Sequence, residues 1–252
     1  MKDVMTTVVK SALLRAGLLG LALLMTGCAS GPAANRHDPL EPFNRGVFQF
    51  NDGLDRAVIK PVATAYRDVL PSPIRTGVGN FFNNLQDAWS FVNNALQLKA
   101  EYAGNSLVRF GVNSVFGLAG LLDIATEMQI ERHTKDFGHT LGYWGISPGP
   151  YLVLPLLGPS TLRDTAGLVV DQQGNLLSGV AHIPTRNSAT ALKLVDRRAQ
   201  LLQASAMLDQ VALDPYTFTR DAFLQRRQSS IYDGNPPDEA DEVPVITDHP
   251  AP

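Results

Sequence analysis

The segment from Phe137 to Leu162 constrains this chain more than any other. It carries no Asp, Glu, Lys or Arg, yet Gly138, Gly142, Gly145, Gly149 and Gly158 are interspersed with Pro148, Pro150, Pro155 and Pro159. No straight helix tolerates that density of breakers: proline removes a backbone donor, and glycine costs about 1 kcal/mol against alanine in a helix interior. A long apolar segment of irregular backbone must be buried against protein or lie at a membrane boundary, because hydrocarbon cannot satisfy its free N–H and C=O groups. The interfacial placement is the expectation here, with Tyr151, Leu152, Leu154 and Pro155 on a membrane-facing loop. A buried core loop is the alternative.

The flanking sequence is helical. Phe43, Val47, Phe50, Leu54 and Val58 recur at helical spacing, and Pro61 is expected to break that helix and open the next, Val62 to Val69. Val78, Phe81, Phe82, Leu85, Trp89, Val92 and Leu96 mark an amphipathic helix over Ile74 to Leu98 whose polar face is mostly uncharged. A second amphipathic helix is expected from Lys99 to about Ala125. Its uncharged stretch between Arg109 and Asp123 would span only about 20 Å as a helix, short of a roughly 30 Å hydrocarbon core. A short helix to about Asp171, a loop to Ala189 and a helix from Thr190 to Leu213 follow. Asp214-Pro215 reads as an N-cap and first helical residue of the last helix, with Arg226 and Arg227 at its cation-favouring end. No strand–helix alternation is present, and the predicted fold is all-α, membrane-embedded or membrane-apposed, with amphipathic helices and a Gly/Pro-rich apolar loop.

The two ends differ in kind from the body. Lys2, Lys10 and Arg15 precede an apolar run from Ala16 to Met25, about ten residues, the length of a signal-peptide core. It leads into Leu24-Met25-Thr26-Gly27-Cys28, which resembles a lipobox, with Met25 where Leu is usual. Cys28 is the only cysteine, and its context favours lipidation over a free thiol or an intermolecular disulfide. Ala29, rather than Asp, implies sorting to the outer membrane. From Asp233 onward the chain is acidic and proline-rich with no Lys or Arg, and cannot bury enough apolar surface to fold alone. The expected organisation is a signal peptide over 1–27, a lipidated spacer over 28–37, one helical domain over 38–232 and a disordered acidic tail over 233–252.

Little in the chain suggests catalysis. Gly145-Ile146-Ser147-Pro148-Gly149 matches G-x-S-x-G, but a nucleophile elbow uses the N–H of the residue after the serine, and Pro148 has none. His133 and His139 are six apart, which suits no common helical zinc pair, and Asp136 near His139 is a weak acid–base candidate. There is no phosphate-binding G-x-x-x-x-G-K-[ST] and no basic stretch of the kind that binds nucleic acid. No enzyme activity, metal or cofactor is expected.

Several segments carry a resemblance: DPLEPFNR (Asp38 to Arg45), NFFNNL (Asn80 to Leu85), RFGVNSVFG (Arg109 to Gly117), DFGHTLGYWGISPGPYLVLPLLGPSTLRD (Asp136 to Asp164) and DPYTFTRDAFLQRR (Asp214 to Arg227). Together they resemble the MlaA/VacJ outer-membrane lipoproteins over nearly the whole mature domain, with Ala88 standing where the family pattern has Pro. That resemblance implies that the amphipathic helices form a ring in the outer membrane, anchored in the periplasmic leaflet through Cys28. Such a ring removes mislocalised phospholipids from the outer leaflet through a polar channel. It passes them to a soluble periplasmic lipid carrier, beside a trimeric porin, and so maintains lipid asymmetry. Exposing about thirty acyl CH₂ groups to water would cost roughly 20 kcal/mol or more, so moving a lipid needs apolar surface throughout, while its charged head resists hydrocarbon. Candidate channel residues are Asn83, Asn84, Asn93, Asn94 and Asn113, with Phe50 and Asn51 as candidates to close or gate it. A structural lipoprotein scaffolding a porin or envelope complex is the alternative function.

Overall fold

The computed structural model describes residues 38–237. Cys28, the signal segment and most of the acidic tail lie outside them. Helix α1 (Glu41–Leu54) does not end at Pro61: it passes through a π turn (Asp55–Ile59) directly into α2 (Lys60–Val69). The N–H of Lys60 reaches five residues back to the Asp55 carbonyl. That wider turn accommodates a proline whose ring would otherwise meet the carbonyl four residues before it.

Extended backbone at Pro71 separates α2 from α3 (Ser72–Leu96), and the left-handed Leu98 (φ 57°) turns the chain into α4 (Ala100–Val115). The expected single helix to Ala125 instead stops at Val115. Leu118, Ala119 and Gly120 all have positive φ, and the chain doubles back before α5 (Ile124–Glu127). Gly120 is required there: with φ +93° its missing Cβ would lie 2.6 Å from the Asn84 amide nitrogen.

The Gly/Pro-rich segment resolves into α6 (Phe137–Tyr143), an extended stretch, and an antiparallel hairpin of β1 (Tyr151–Leu154) and β2 (Gly158–Thr161) joined through Pro155, Leu156 and Leu157. Helix α7 (Leu162–Gly174) starts at Thr161, whose hydroxyl accepts from the Asp164 N–H. The expected loop to Ala189 is mostly helical. A 3₁₀ turn (Leu176–Gly179) leads into α8 (Ile183–Val211), capped by His182, and α9 (Pro215–Ile231) follows with Asp214 accepting from the Tyr216 N–H. The fold is all-α apart from the two short strands, and no described helix is long and apolar enough to cross a membrane.

Packing joins these elements into a closed circuit: α1 and α2 run on to α8, α8 to α3, α3 to α6, α6 to α9, and α9 through the hairpin back to α1. The apolar core is correspondingly small. One cluster (Ala63, Ala199, Leu202) lies between α2 and α8, and the other (Tyr151, Val153, Tyr216) lies between the hairpin, α1 and α9. Folded structure also extends past the expected boundary at 232, because Asp233 is held by Lys99 and by Lys135 at 2.6 Å.

Candidate functional site

Two features define the site: an interior richer in polar than in apolar residues, and an exterior rich in large apolar ones. Asn44, Asn84, Asp87, Asn93, Asn94, Gln97, Arg109 and Asn113 are each at most 2% exposed. Phe50, Val69, Val115, Phe116, Leu118, Leu156, Leu157 and Val211 are each more than half exposed. Water-soluble domains show the opposite arrangement, and an exterior of this kind fits contact with lipid.

The circuit of helices borders a partly open cavity of about 760 Å³. Asn83, Gln86 and Trp89 of α3, His139 of α6, Asp171 of α7, Lys193 and Arg197 of α8, and Arg226 and Arg227 of α9 contribute to its wall. A smaller groove of about 220 Å³, lined by Asn51, Leu54, Ile59, Leu156, Leu194 and Leu201 among others, adjoins it. Leu157 and Arg197 line both spaces.

Of the predicted channel asparagines, the structure brings Asn83 alone to the cavity wall. Asn84 donates to Ser114 Oγ at 2.9 Å, Asn93 accepts from Thr140 Oγ1 at 2.8 Å, and Asn94 donates to the His133 carbonyl at 2.9 Å. Asn113 accepts from the Ala125 N–H at 2.9 Å and donates to Asp123. These four amides belong to the protein interior, where they join α3 to α4, α3 to α6, α3 to the loop at His133, and α4 to α5. Their helical phase separates them from Asn83: Asn83 and Gln86 are three apart on one face, whereas Asn84, Asp87 and Asn94 share another.

Phe50 is 58% exposed and lines neither space, contributing to the apolar exterior. Asn51 has a different role. Its Nδ2 donates to the Leu154 carbonyl and its Oδ1 accepts from the Leu156 N–H, both at 2.9 Å, which holds the hairpin tip against α1. Leu156 is left-handed (φ 66°), a conformation costing an ordinary L-residue roughly 1–2 kcal/mol. The expectation of a membrane-facing loop needs correction at Tyr151, which is 1% exposed and packs between Tyr216 and Phe223; pleat alternation buries it with Val153. Leu152 and Leu154 are partly exposed, and the outward apolar tip consists of the exposed Pro155 with Leu156 and Leu157, the last two 61% and 69% exposed.

The polar joints were not visible from sequence. Asn44 donates to Asp38 at 2.8 Å and to the Tyr151 carbonyl at 2.9 Å, and accepts from the Val153 N–H at 2.9 Å, pairing a helix with a strand edge. Tyr216 donates to Asp38, and Arg45 grips Asp214 through two bonds of 3.2 and 2.6 Å while lying 4.3 Å above the Tyr216 ring. The DPLEPFNR and DPYTFTRD motifs thus meet in space. Asp136 forms a capping box with His139, and Arg227 binds its carboxylate through two bonds of 2.6 Å. Burial alone would raise the Asp136 carboxyl; the bonds from His139 and Arg227 overcome this and hold it well below the usual carboxylate range. Ser147 is exposed in the stretch before β1 rather than at a strand-to-helix turn, and its hydroxyl accepts a 3.4 Å bond from the Gly149 N–H.

Residues 36–230 match the model of the MlaA lipoprotein family. The chain belongs to that family. It is 38% identical over 214 residues to the intermembrane phospholipid transport system lipoprotein MlaA of Escherichia coli, covering 82% of this chain and 84% of that protein. The protein of the same name from Haemophilus influenzae is 34% identical over 236 residues, covering 88% and 92%. A solved structure from work on the structural basis for maintenance of bacterial outer membrane lipid asymmetry is 36% identical, with a TM-score of 0.69. It is matched over its whole length and covers 79% of this chain. The joints between α1, the hairpin and α9 therefore lie within the matched MlaA domain.

Proposed function

We propose that this MlaA-family chain carries phospholipid between the outer leaflet of the outer membrane and the periplasm, with the head group in the polar cavity. The observation that carries the reading is the inversion of polarity: an apolar exterior surrounds a 760 Å³ cavity bearing charged and amide groups. A lipid head cannot cross hydrocarbon bare, and its chains cannot cross water, so a path needs both surfaces side by side. Here the apolar groove runs beside the cavity and shares Leu157 and Arg197 with it. The names of the MlaA relatives, which speak of intermembrane phospholipid transport, support the same substrate class.

On this reading the hairpin tip is the movable wall. Asn51 fixes it, Leu157 faces both spaces, and movement of three residues would change their connection. Passage is passive and involves no bond making. Lipidation of Cys28 anchors the chain in the periplasmic leaflet, a trimeric porin flanks it, and a soluble periplasmic carrier receives the lipid.

The test is surface-exposed phospholipid in a deletion strain complemented with wild type, Ser147→Ala or Asn51→Ala. The deletion should raise outer-leaflet phospholipid, and wild type and Ser147→Ala should both restore the barrier. Asn51→Ala should alter leaflet composition while the protein remains folded. An unchanged leaflet composition in the deletion strain would reject transport and leave an anchored scaffold.

A further inference from the structure

The charges facing the cavity are not balanced by one another. Its acids are Asp136, Asp171 and Asp196, and each already has partners. Asp136 holds Arg227 and the His139 N–H. Asp171 accepts from Trp89 Nε1 at 2.6 Å and from the Phe137 N–H at 2.8 Å. Asp196 accepts from the Tyr66 hydroxyl at 2.9 Å and from Gln200 at 2.8 Å.

Two of the five lining Lys and Arg residues are paired as well: Arg227 with Asp136 and Asp164, and Arg132 with Asp87 and Asp123. The other three, Lys193, Arg197 and Arg226, form no ion pair or hydrogen bond through their side chains among the described residues. Lys193 and Arg197 are four apart on α8, hence neighbours on one helical face, at roughly 5–6 Å between their Cβ atoms. Lys193 is half-buried, and burial together with the Arg197 charge pulls its ammonium below the ordinary lysine range. Arg197 and Arg226 are exposed and Lys193 is half-buried, so water in the cavity solvates these charges until an anion replaces it.

We propose that Lys193, Arg197 and Arg226 form a holding step for the phosphodiester of a phospholipid head group inside the cavity. This deepens the transport reading and rests on it. The phosphodiester carries a single permanent negative charge and oxygens that accept bonds from guanidinium and ammonium donors, the pairing arginine serves best. Arg197 occupies the position such a step needs, since it lines both the polar cavity and the groove of Leu54, Ile59, Leu194 and Leu201. A phosphate held there leaves its acyl chains beside apolar side chains. The same wall discriminates between heads only modestly: Asp171 and Asp196 are bonded to neutral donors and keep their charge, so three cations face two uncompensated carboxylates, which favours a glycerol-type anionic head over an ethanolamine-type head.

The experiment uses the full lipidated chain in non-ionic detergent, offered phosphatidylglycerol, phosphatidylethanolamine and diacylglycerol with identical acyl chains in equal amounts. Bound lipid is counted by native mass spectrometry. Wild type should retain phosphatidylglycerol over diacylglycerol by about tenfold or more, the scale of one charge-assisted contact. Phosphatidylethanolamine should fall between them. The combined variant Lys193→Gln, Arg197→Gln, Arg226→Gln should bind the lipids alike, whereas Lys193→Arg with Arg197→Lys should keep the preference. Arg186→Gln, a change outside the cavity wall, should keep it too. The combined variant should unfold at or above the wild-type temperature, because it removes mutual repulsion. A preference that survives in the combined variant overturns the proposal while leaving lipid passage standing. Wild type that binds no lipid of any kind overturns the transport reading and this step with it. Millimolar inorganic phosphate displacing phosphatidylglycerol from wild type would mark a site for free phosphate and overturn the lipid assignment.

Discussion

Asn44 shows how single residues hold this fold together. A helix normally offers a strand nothing to pair with, yet the Asn44 amide supplies a donor to Tyr151 and an acceptor to Val153, as a neighbouring strand would. Asn44→Ala would leave those groups and Asp38 short of partners in a buried setting, and should cost about 3 kcal/mol in detergent-solubilised unfolding. Asp87 offers a second test. Burial, only partly offset by Arg132 and Arg109, pushes its carboxyl up from 3.8 to about 6. A carboxyl raised in the folded state contributes stability that is full below its unfolded value and is lost as pH rises through about 6. Wild type should therefore gain on Asp87→Asn by roughly 2–3 kcal/mol as pH falls from about 7.5 to about 4, read from paired thermal unfolding curves. At this scale the sequence was only partly legible. The motifs containing Asp38, Asn44 and Asp214 stand out in it, but the partners that join them to other elements lie more than a hundred residues away, and helical periodicity carries no information about them.

At the scale of elements, the helices were legible and their joints were not. Apolar spacing placed α3, and Asp214-Pro215 marked the start of α9, because caps and amphipathic stripes are local signals. Pro61 misled, since a π turn absorbs a proline without breaking the rod. The Gly/Pro-rich run hid a hairpin whose strands are only four residues each, too short for alternation to show. Close approach of elements is equally non-local. A Cβ on Gly174 would fall 2.1 Å from the Trp89 ring, which is tied to Asp171. Gly174→Ala should push the indole off Asp171, shift tryptophan emission and cost about 1–3 kcal/mol, the range for overpacking. Unchanged emission and stability would show that α3 and α7 can separate freely.

At the scale of the whole molecule, an apolar outside around a polar inside makes an amphiphile part of the folded state. Cys28→Ser, purified without its acyl chains, should still float with phospholipid vesicles, and should aggregate when detergent is removed. A variant that stayed monomeric in plain buffer would contradict the lipid-facing reading of Val115, Phe116, Leu118 and Leu156. The all-α class could be anticipated from spacing, whereas the ring came only from the family resemblance, because closure depends on Arg45 meeting Asp214 and Tyr216 meeting Asp38. That closure has a consequence for biogenesis. A chain is made with its N-terminal end leading, so Asp38 and Arg45 must wait, partnerless, until residues 214–231 have followed. Throughout that interval the nascent polypeptide exposes both greasy faces and unpaired charges. Nonsense truncation anywhere before Asp214 should therefore yield proteolytic debris rather than a smaller working unit.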